Sequence, residues 1–376
     1  MDVPFKFGCI IDGEHFCPRP ELERQLKRYI SSGQNVFIQG ERRRGKSSLI
    51  VKAVKDTRGL GLLYVDLLGI TNVSELCARI VDGVMELDRS KSFIQKTVSM
   101  IATLRPLVVI DQNTGLPSIS VDSRAAAKPS SLGAVLQMIA THAKERKICV
   151  VFDEFQDILD LEDANTILAQ MRGKIQFLSD TSFVFLGSVR NQMSEIFSHP
   201  KSPFFKSALE FDIGEIDAEI FADFLVKRFK KGKRKVSKEF VLQLIEQMDG
   251  VPGDVQELCD ALWSVTGDGA DVGAQSLNEA YKYIFAHEGS SYQTYLRQLT
   301  IQQRKVLNAL AIEGGEHVVS SSFRDAAMIH NASSIQKAIN RLIDIGHVYY
   351  YHDEYKFVSP FFREWIKQRY SASSLT

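Results

Sequence analysis

The sequence predicts an α/β fold in which a parallel sheet carries helices on both faces, followed by a helical segment and a small winged helix-turn-helix domain. Three observations predict it. Short apolar runs alternate with amphipathic helical stretches through about residue 215, the rhythm of a parallel sheet with crossover helices. A glycine-bearing loop, Gly40-Glu-Arg-Arg-Arg-Gly-Lys-Ser47, joins the first apolar run to a helix. In the last stretch, residues 301–370, the order is helix, short helix, helix, two short aromatic strands and a closing helix.

Taken in chain order, Leu22, Leu26 and Ile30 recur every fourth residue and put a helix over Glu21 to Ser31. Ser-Gly-Gln-Asn ends it, and Val36-Phe37-Ile38 reads as a short buried strand leading into the loop; Ser48 to Asp56 is the helix after it. Further strands are expected at Gly61–Asp66, Lys147–Phe152, Ser182–Leu186 and Ala208–Phe211, with helices over Val73–Leu87, Leu132–Glu145 and Ala164–Leu178. Residues 104–131 break the rhythm. Two short apolar runs flank Asn113-Thr114-Gly115, which predicts a β-hairpin insertion followed by a loop, with no chemistry assigned. From Ile216 helices dominate to about His287, and residues 290–300 read as a connector. The expected division is therefore a core over 1–215, a helical segment over 216–289 and a winged helix over 290–376.

Gly40 to Ser47 has the spacing G-x-x-x-x-G-K-[ST]. Glycines let successive backbone N–H groups turn toward phosphate oxygens, and the helix that follows adds the positive end of its dipole. The loop residues Gly40, Glu41, Arg42, Arg43, Arg44, Gly45, Lys46 and Ser47, with Ser48, are the candidate nucleotide contacts. Lys46 is expected on the β and γ phosphates of ATP and the Ser47 hydroxyl on Mg2+. The arginines Arg42 to Arg44 are compatible with phosphate contact, packing on acidic neighbours or solvation, and at least two of them are expected to be surface or structural.

Lys147-Ile-Cys-Val-Val-Phe-Asp153-Glu154 is an apolar strand delivering two carboxylates at its C-terminal end, the end where parallel sheets bind ligands. Asp153 is the candidate metal carboxylate and Glu154 the candidate base for the attacking water; Gln156 and Asp157 are expected to be exposed residues of a helix start. Ser188, just past the fourth strand, is a candidate sensor of the terminal phosphate.

With these motifs in order, the chain resembles the archaeal-type ATPases of the AAA+/STAND group, bacterial relatives included. The resemblance is carried by Phe16-Cys-Pro-Arg19-Pro-Glu-Leu-Glu23, by Ser32-Gly-Gln-Asn-Val ahead of the loop, by Asp153-Glu154-Phe155-Gln156, by Gly187-Ser188 and by Gly250-Val-Pro252-Gly253. It implies an AAA+-like core, a helical lid over 216–289 in which Pro252 lies near the nucleotide base, and a C-terminal winged helix. One departure stands out. Where such proteins often carry Gly-Arg after a Ser-Pro-aromatic segment, this chain has Lys206-Ser207 after Ser202-Pro203-Phe204-Phe205, leaving Lys206 or Arg190 as substitutes and a switch or slow ATPase as the alternative to a motor.

The helix containing Ile335, Ile339, Leu342 and Ile343 has the position of a recognition helix, and Val348–Tyr351 with Tyr355–Val358 that of a wing. Its outer face offers Lys337 and Arg341 as cations, for double-stranded DNA or for an internal contact, while Asp353 and Glu354 mark the wing tip. A protein partner or self-association is the other reading of this module. The run from Lys227 to Lys235 is the most basic stretch, read either as a solvated helix end or as a source of phosphate contacts. Lys plus Arg and Asp plus Glu both number 46, which excludes a whole-surface polyanion binder. The opening Met-Asp-Val-Pro-Phe-Lys-Phe has no signal-peptide pattern and no apolar run is long enough to span a bilayer, so a cytoplasmic protein away from membranes is expected. Five scattered cysteines without a Cys-x-x-Cys pair predict reduced thiols.

Overall fold

The computed structural model describes residues 3–88, 90–100, 106–110, 117–121 and 129–373. The chain divides into two compact units, one from Ile10 to Gly214, the other from Glu215 onward together with the segment up to Cys9.

The first unit runs α1 (Pro20–Ser31), β1 (Val36–Gln39), α2 (Lys46–Lys55), β2 (Gly61–Asp66), α3 (Val73–Met85), α4 (Lys91–Met100), β3 (Pro106–Ile110), β4 (Pro117–Val121), α5 (Pro129–Glu145), β5 (Ile148–Asp153), α6 (Ala164–Ile175), β6 (Ser182–Gly187), α7 (Arg190–Phe197) and β7 (Leu209–Glu210). Five strands form one parallel sheet in the order β2-β5-β6-β1-β7. Alternation along each strand sorts side chains between two cores. Val36, Ile38, Cys149 and Val151 pack with Leu26, Leu49 and Ile50 of α1 and α2. Phe37, Val150 and Phe152 point the other way, toward α3, α5 and α6, with Phe155, Phe185, Phe197 and Phe204 in the same cluster. Stacking of Phe37 on Phe197, with ring centroids 4.5 Å apart, ties β1 to α7. Helix α3 lies close against β2, where a Cβ on Gly83 would sit 2.8 Å from the Tyr64 carbonyl oxygen. Only glycine lets the two backbones approach so far.

β3 and β4 pair antiparallel, Pro106 opposite Val121 and Ile110 opposite Pro117, which is the hairpin expected between residues 104 and 131. Its Asn113-Thr114-Gly115 turn and the loop over 122–128 lie outside the described residues. The loop is shorter than expected at its far end, because Pro129 already occupies the first position of α5.

The second unit runs α8 (Ala218–Lys231), β8 (Lys235–Val236), α9 (Lys238–Gln247), α10 (Pro252–Val265), β9 (Asp271–Val272), α11 (Ala274–Gln298), α12 (Ile301–Glu313), α13 (Ser321–Ala327), α14 (Ala332–Asp344), β10 (Val348–Tyr351), β11 (Glu354–Phe357) and α15 (Pro360–Ser373). The segment before Cys9 joins it through Phe5, whose ring meets Phe229 edge-on at 4.7 Å, and through the Pro4 carbonyl, which accepts from Arg228 Nε at 2.6 Å. Two-residue strands β8 and β9 pair in parallel and carry too little apolar signal to be read from sequence.

The expected connector at 290–300 is corrected: α11 runs unbroken through it to Gln298. The reason is tertiary. Tyr292 is buried against Phe362 and Trp365 of α15, at centroid distances of 5.1 and 5.6 Å, so the helix continues to bury it. Beyond it, α12 to α15 and the β10-β11 hairpin have the expected winged-helix order. The hairpin turns at His352 and Asp353, both with positive φ (47° and 61°), a two-residue turn whose twist suits antiparallel strands. Cys17, Cys77, Cys149 and Cys259 are buried free thiols and Cys9 an exposed one. Among the described residues no helix is long and apolar enough to cross a membrane.

Candidate phosphate and metal site

The site is built at the C-terminal ends of β1, β5 and β6. Because β6 lies between β1 and β5, the loops leaving all three strands converge on one edge. Gly40 N donates to Gly187 O at 3.1 Å, fastening the start of the phosphate loop to the end of β6. The loop then curls through Arg43, with φ 66°, and Gly45, with φ 88°, before α2 begins at Lys46. Nothing lies within 4 Å of where a Gly45 Cβ would stand, so the glycine serves the left-handed conformation and not a tight contact.

Lys46 is 7% exposed and its ammonium sits inside the loop, donating to Gly40 O at 2.5 Å and Glu41 O at 2.9 Å. Ser47 Oγ donates to Asp153 Oδ2 at 2.7 Å. The same Oδ2 accepts from the Tyr64 hydroxyl, and Asp153 Oδ1 accepts from Glu154 N at 2.9 Å. Glu154 has a left-handed backbone, φ 50° and ψ 44°, because the chain turns sharply from β5 into a 3-10 segment over Phe155–Asp160. Its Oε2 accepts from Ser188 Oγ at 2.6 Å and from Gln156 Nε2 at 2.7 Å. The three candidates Glu154, Ser188 and Asp153 are therefore joined through one hydrogen-bonded chain to Ser47.

The other loop residues divide among roles. The Arg42 guanidinium is mostly exposed, with Nε 3.8 Å from Glu154 Oε1. Arg44 is buried, Nε 3.9 Å from Glu41 Oε2, and its carbonyl accepts from Arg19 Nη2 at 3.3 Å. Arg19 also donates to Ile213 O at 3.0 Å, and burial pulls its pKa down to about 10. It thus braces the loop from behind, a role the sequence pattern around it did not specify. Ser48 Oγ accepts from Ile11 N at 2.9 Å, which leaves its place at the helix start but engages its hydroxyl.

Gln156 and Asp157 are a correction. Gln156 is 2% exposed, not a solvated helix residue, and its amide bridges Glu154 and Asp157 Oδ1. Asp157 Oδ2 in turn accepts from Gly69 N at 2.7 Å, and burial raises its pKa. The physical cause is the 3-10 geometry, which folds residue 156 back over the strand end. Tyr64 was equally invisible, since its partner Asp153 is 89 residues away. Lys206 adopts φ 53° and holds its ammonium over the Phe205 ring at 5.3 Å. The side chain of Arg190 lies outside the described residues.

Elsewhere the candidates sit apart from this cluster in sequence and element. Pro252 is the buried first residue of α10, where a missing N–H costs nothing. Lys337 and Arg341 are exposed on α14, and Arg341 Nη1 is 3.7 Å from Asp344 Oδ2. Within the basic run, Arg228 and Arg234 are buried: Arg234 donates to Thr266 O at 2.5 Å and Asp268 Oδ1 at 2.7 Å and stacks on Trp263. Two of its cations are thus structural.

A family model described as "Probable winged helix domain" matches residues 290–368. No curated protein matches the sequence. Among solved structures the chain is similar to a Walker-type ATPase of Pyrococcus abyssi, with TM-score 0.63 and 17% identity over 94% of this chain and 97% of the other. It is also similar to the Orc2 protein of Aeropyrum pernix, solved with ADPNP and ADP, with TM-score 0.54 and 14% identity over 99% and 100% of the two chains. The Orc1 protein of the same organism, solved with DNA, aligns with TM-score 0.50 and 13% identity over 97% and 96%. These likenesses extend over nearly the whole length of each chain, and this chain has the fold of the AAA+ ATPases, with a winged helix domain at its C-terminus.

Proposed function

We propose that the chain binds ATP with Mg2+ in the Gly40–Ser47 loop, hydrolyses it slowly, and passes its nucleotide state to a partner through the helical lid and winged helix. The observation that carries this reading is the Ser47 to Asp153 hydrogen bond, 2.7 Å, beside a lysine whose ammonium already sits within the loop. A hydroxyl and a carboxylate are hard oxygen donors, and Mg2+ takes few protein ligands, keeping water and phosphate for the rest of its shell. The donor set therefore fits that ion. Bound Mg2+ offsets the charge of the phosphate oxygens.

The chain's own residues do the remaining work. Lys46 exchanges its two loop carbonyls for phosphate oxygens, stronger acceptors for a cation. Glu154 takes the proton of the attacking water as the water oxygen bonds to the terminal phosphorus and the bridging P–O bond breaks. Ser188 and Gln156 hold the receiving carboxylate through one oxygen, leaving Oε1 directed toward Arg42. Pro252, at the head of α10, is assigned to the base side of the nucleotide on the strength of the Gly250-Val-Pro252 resemblance.

Glu154→Gln tests the reading. Nucleotide binding should persist while phosphate release falls about a hundredfold or more, since an amide cannot accept the proton. Hydrolysis equal to wild type would remove Glu154 from the role of base. The alternative, ATP as a switch ligand with little turnover, is favoured by Lys206-Ser207, which stands where the resemblance leads to the expectation of Gly-Arg. A wild-type chain that retains intact ATP over hours would decide for the switch.

A further inference from the structure

We propose that the Tyr64 hydroxyl is a positioning group for the metal carboxylate, fixing Asp153 so that Ser47 and Asp153 present a ready-made pair of Mg2+ ligands. The inference rests on the reading of those two residues given above. In the parallel β2-β5 pair Tyr64 stands opposite Val151 and Asp66 opposite Asp153. Period-two alternation then puts Tyr64 on the same sheet face as Val151 and Asp153, the face covered by α2. From there the phenol reaches Asp153 Oδ2, the oxygen to which Ser47 Oγ also donates at 2.7 Å.

With Glu154 N on Oδ1 at 2.9 Å, the carboxylate is held from both of its oxygens and from strand, loop and neighbouring strand at once. A phenylalanine would pack against the same core as the Tyr64 ring, which is itself partly buried against the buried α1-α2 cluster. The hydroxyl is what differs. Taking it out of water is unfavourable unless it is bonded, and a metal carboxylate is the partner it has. Such outer contacts govern metal affinity because they set the ligand's orientation before the ion arrives.

The test is ATP binding by the full chain, wild type and Tyr64→Phe, each titrated once in Mg2+ and once in EDTA. The quantity read is the gain in affinity that Mg2+ brings. It is internal to each variant, so a reduced folded fraction cancels. Tyr64→Phe should lower that gain roughly tenfold and leave affinity in EDTA unchanged, and Mn2+ spin resonance of the ATP complex should show the same loss. Asp153→Asn supplies the reference for a removed ligand. If Tyr64→Phe keeps the full gain, the positioning role is overturned while the Ser47–Asp153 site stands. Equal losses in Mg2+ and EDTA would make Tyr64 a support of the loop and overturn the proposal. A wild type that binds ATP without any gain from Mg2+ would sink the metal site and the proposal together.

Discussion

Glu154 pays a conformational cost to sit where it does. A left-handed backbone at a non-glycine residue costs on the order of 1 kcal/mol, and here the chain is held in it by Phe155, buried 4.6 Å from Phe185 by ring centroid. The strain aims the carboxylate at Ser188 and Gln156. Removing one donor by Ser188→Ala should therefore lower turnover about tenfold, the worth of one hydrogen bond to a charged group, with ATP affinity unchanged. Single-turnover phosphate release alongside a binding titration measures both. The legibility of the site follows the range of its contacts. Gly40 to Ser47 and Asp153-Glu154 were readable because their chemistry needs fixed local spacing. Tyr64, Gln156 and Arg19 were not, because the first and last act on partners brought close only by the sheet and the loop, and Gln156 acts through a 3-10 turn that sequence pattern does not distinguish from a helix start.

Between elements, the last helix of the winged helix domain meets the turn between α9 and α10. Arg363 of α15 donates through Nη1 to both Asp249 carboxylate oxygens at 2.7 Å and through Nη2 to Gln247 O at 2.5 Å. Gln247 Nε2 completes the node on Glu364 at 3.2 Å. Asp249, with φ 50°, immediately precedes Gly250-Val-Pro252, so the last helix grips the turn that starts α10. Breaking this largely buried ion pair leaves an uncompensated charge, and Arg363→Ala should destabilise the chain by about 3 kcal/mol. Adding Asp249→Ala should recover part of that loss, a coupling read from chemical denaturation of the four chains of the cycle. Independent losses would show that the pair is not a unit. The range of contacts also explains why most strands and helices were legible and the course of α11 was not. Continuous apolar runs mark β1 and β5 locally and helical apolar spacing marks α14, whereas α11 persists past residue 290 through Tyr292, Phe362 and Trp365, contacts between distant segments.

On the scale of the whole molecule, the balance of 46 cationic and 46 anionic side chains confines any contact with DNA to local surfaces. The outer face of α14 offers Lys337 and Arg341, while Arg228 and Arg234 of the basic run are spent inside the fold. If duplex DNA is held on α14 alone, its affinity should vary with salt with a slope of about 2 that falls toward zero in a Lys337→Gln, Arg341→Gln chain, whereas the exposed Lys227, Lys230, Lys231, Lys233 and Lys235 of the basic run would add to the slope. Binding measured across salt concentrations checks this, and a steep slope that survives the double substitution would move the DNA contact elsewhere. Nucleotide chemistry is the claim on which the rest depends, and calorimetric titration of the full chain with ATP and Mg2+, beside Lys46→Ala, addresses it directly. One ATP per chain is expected, with an affinity at least about a hundredfold weaker when the ammonium is removed from the loop. A folded Lys46→Ala chain that binds ATP as tightly as wild type would contradict it.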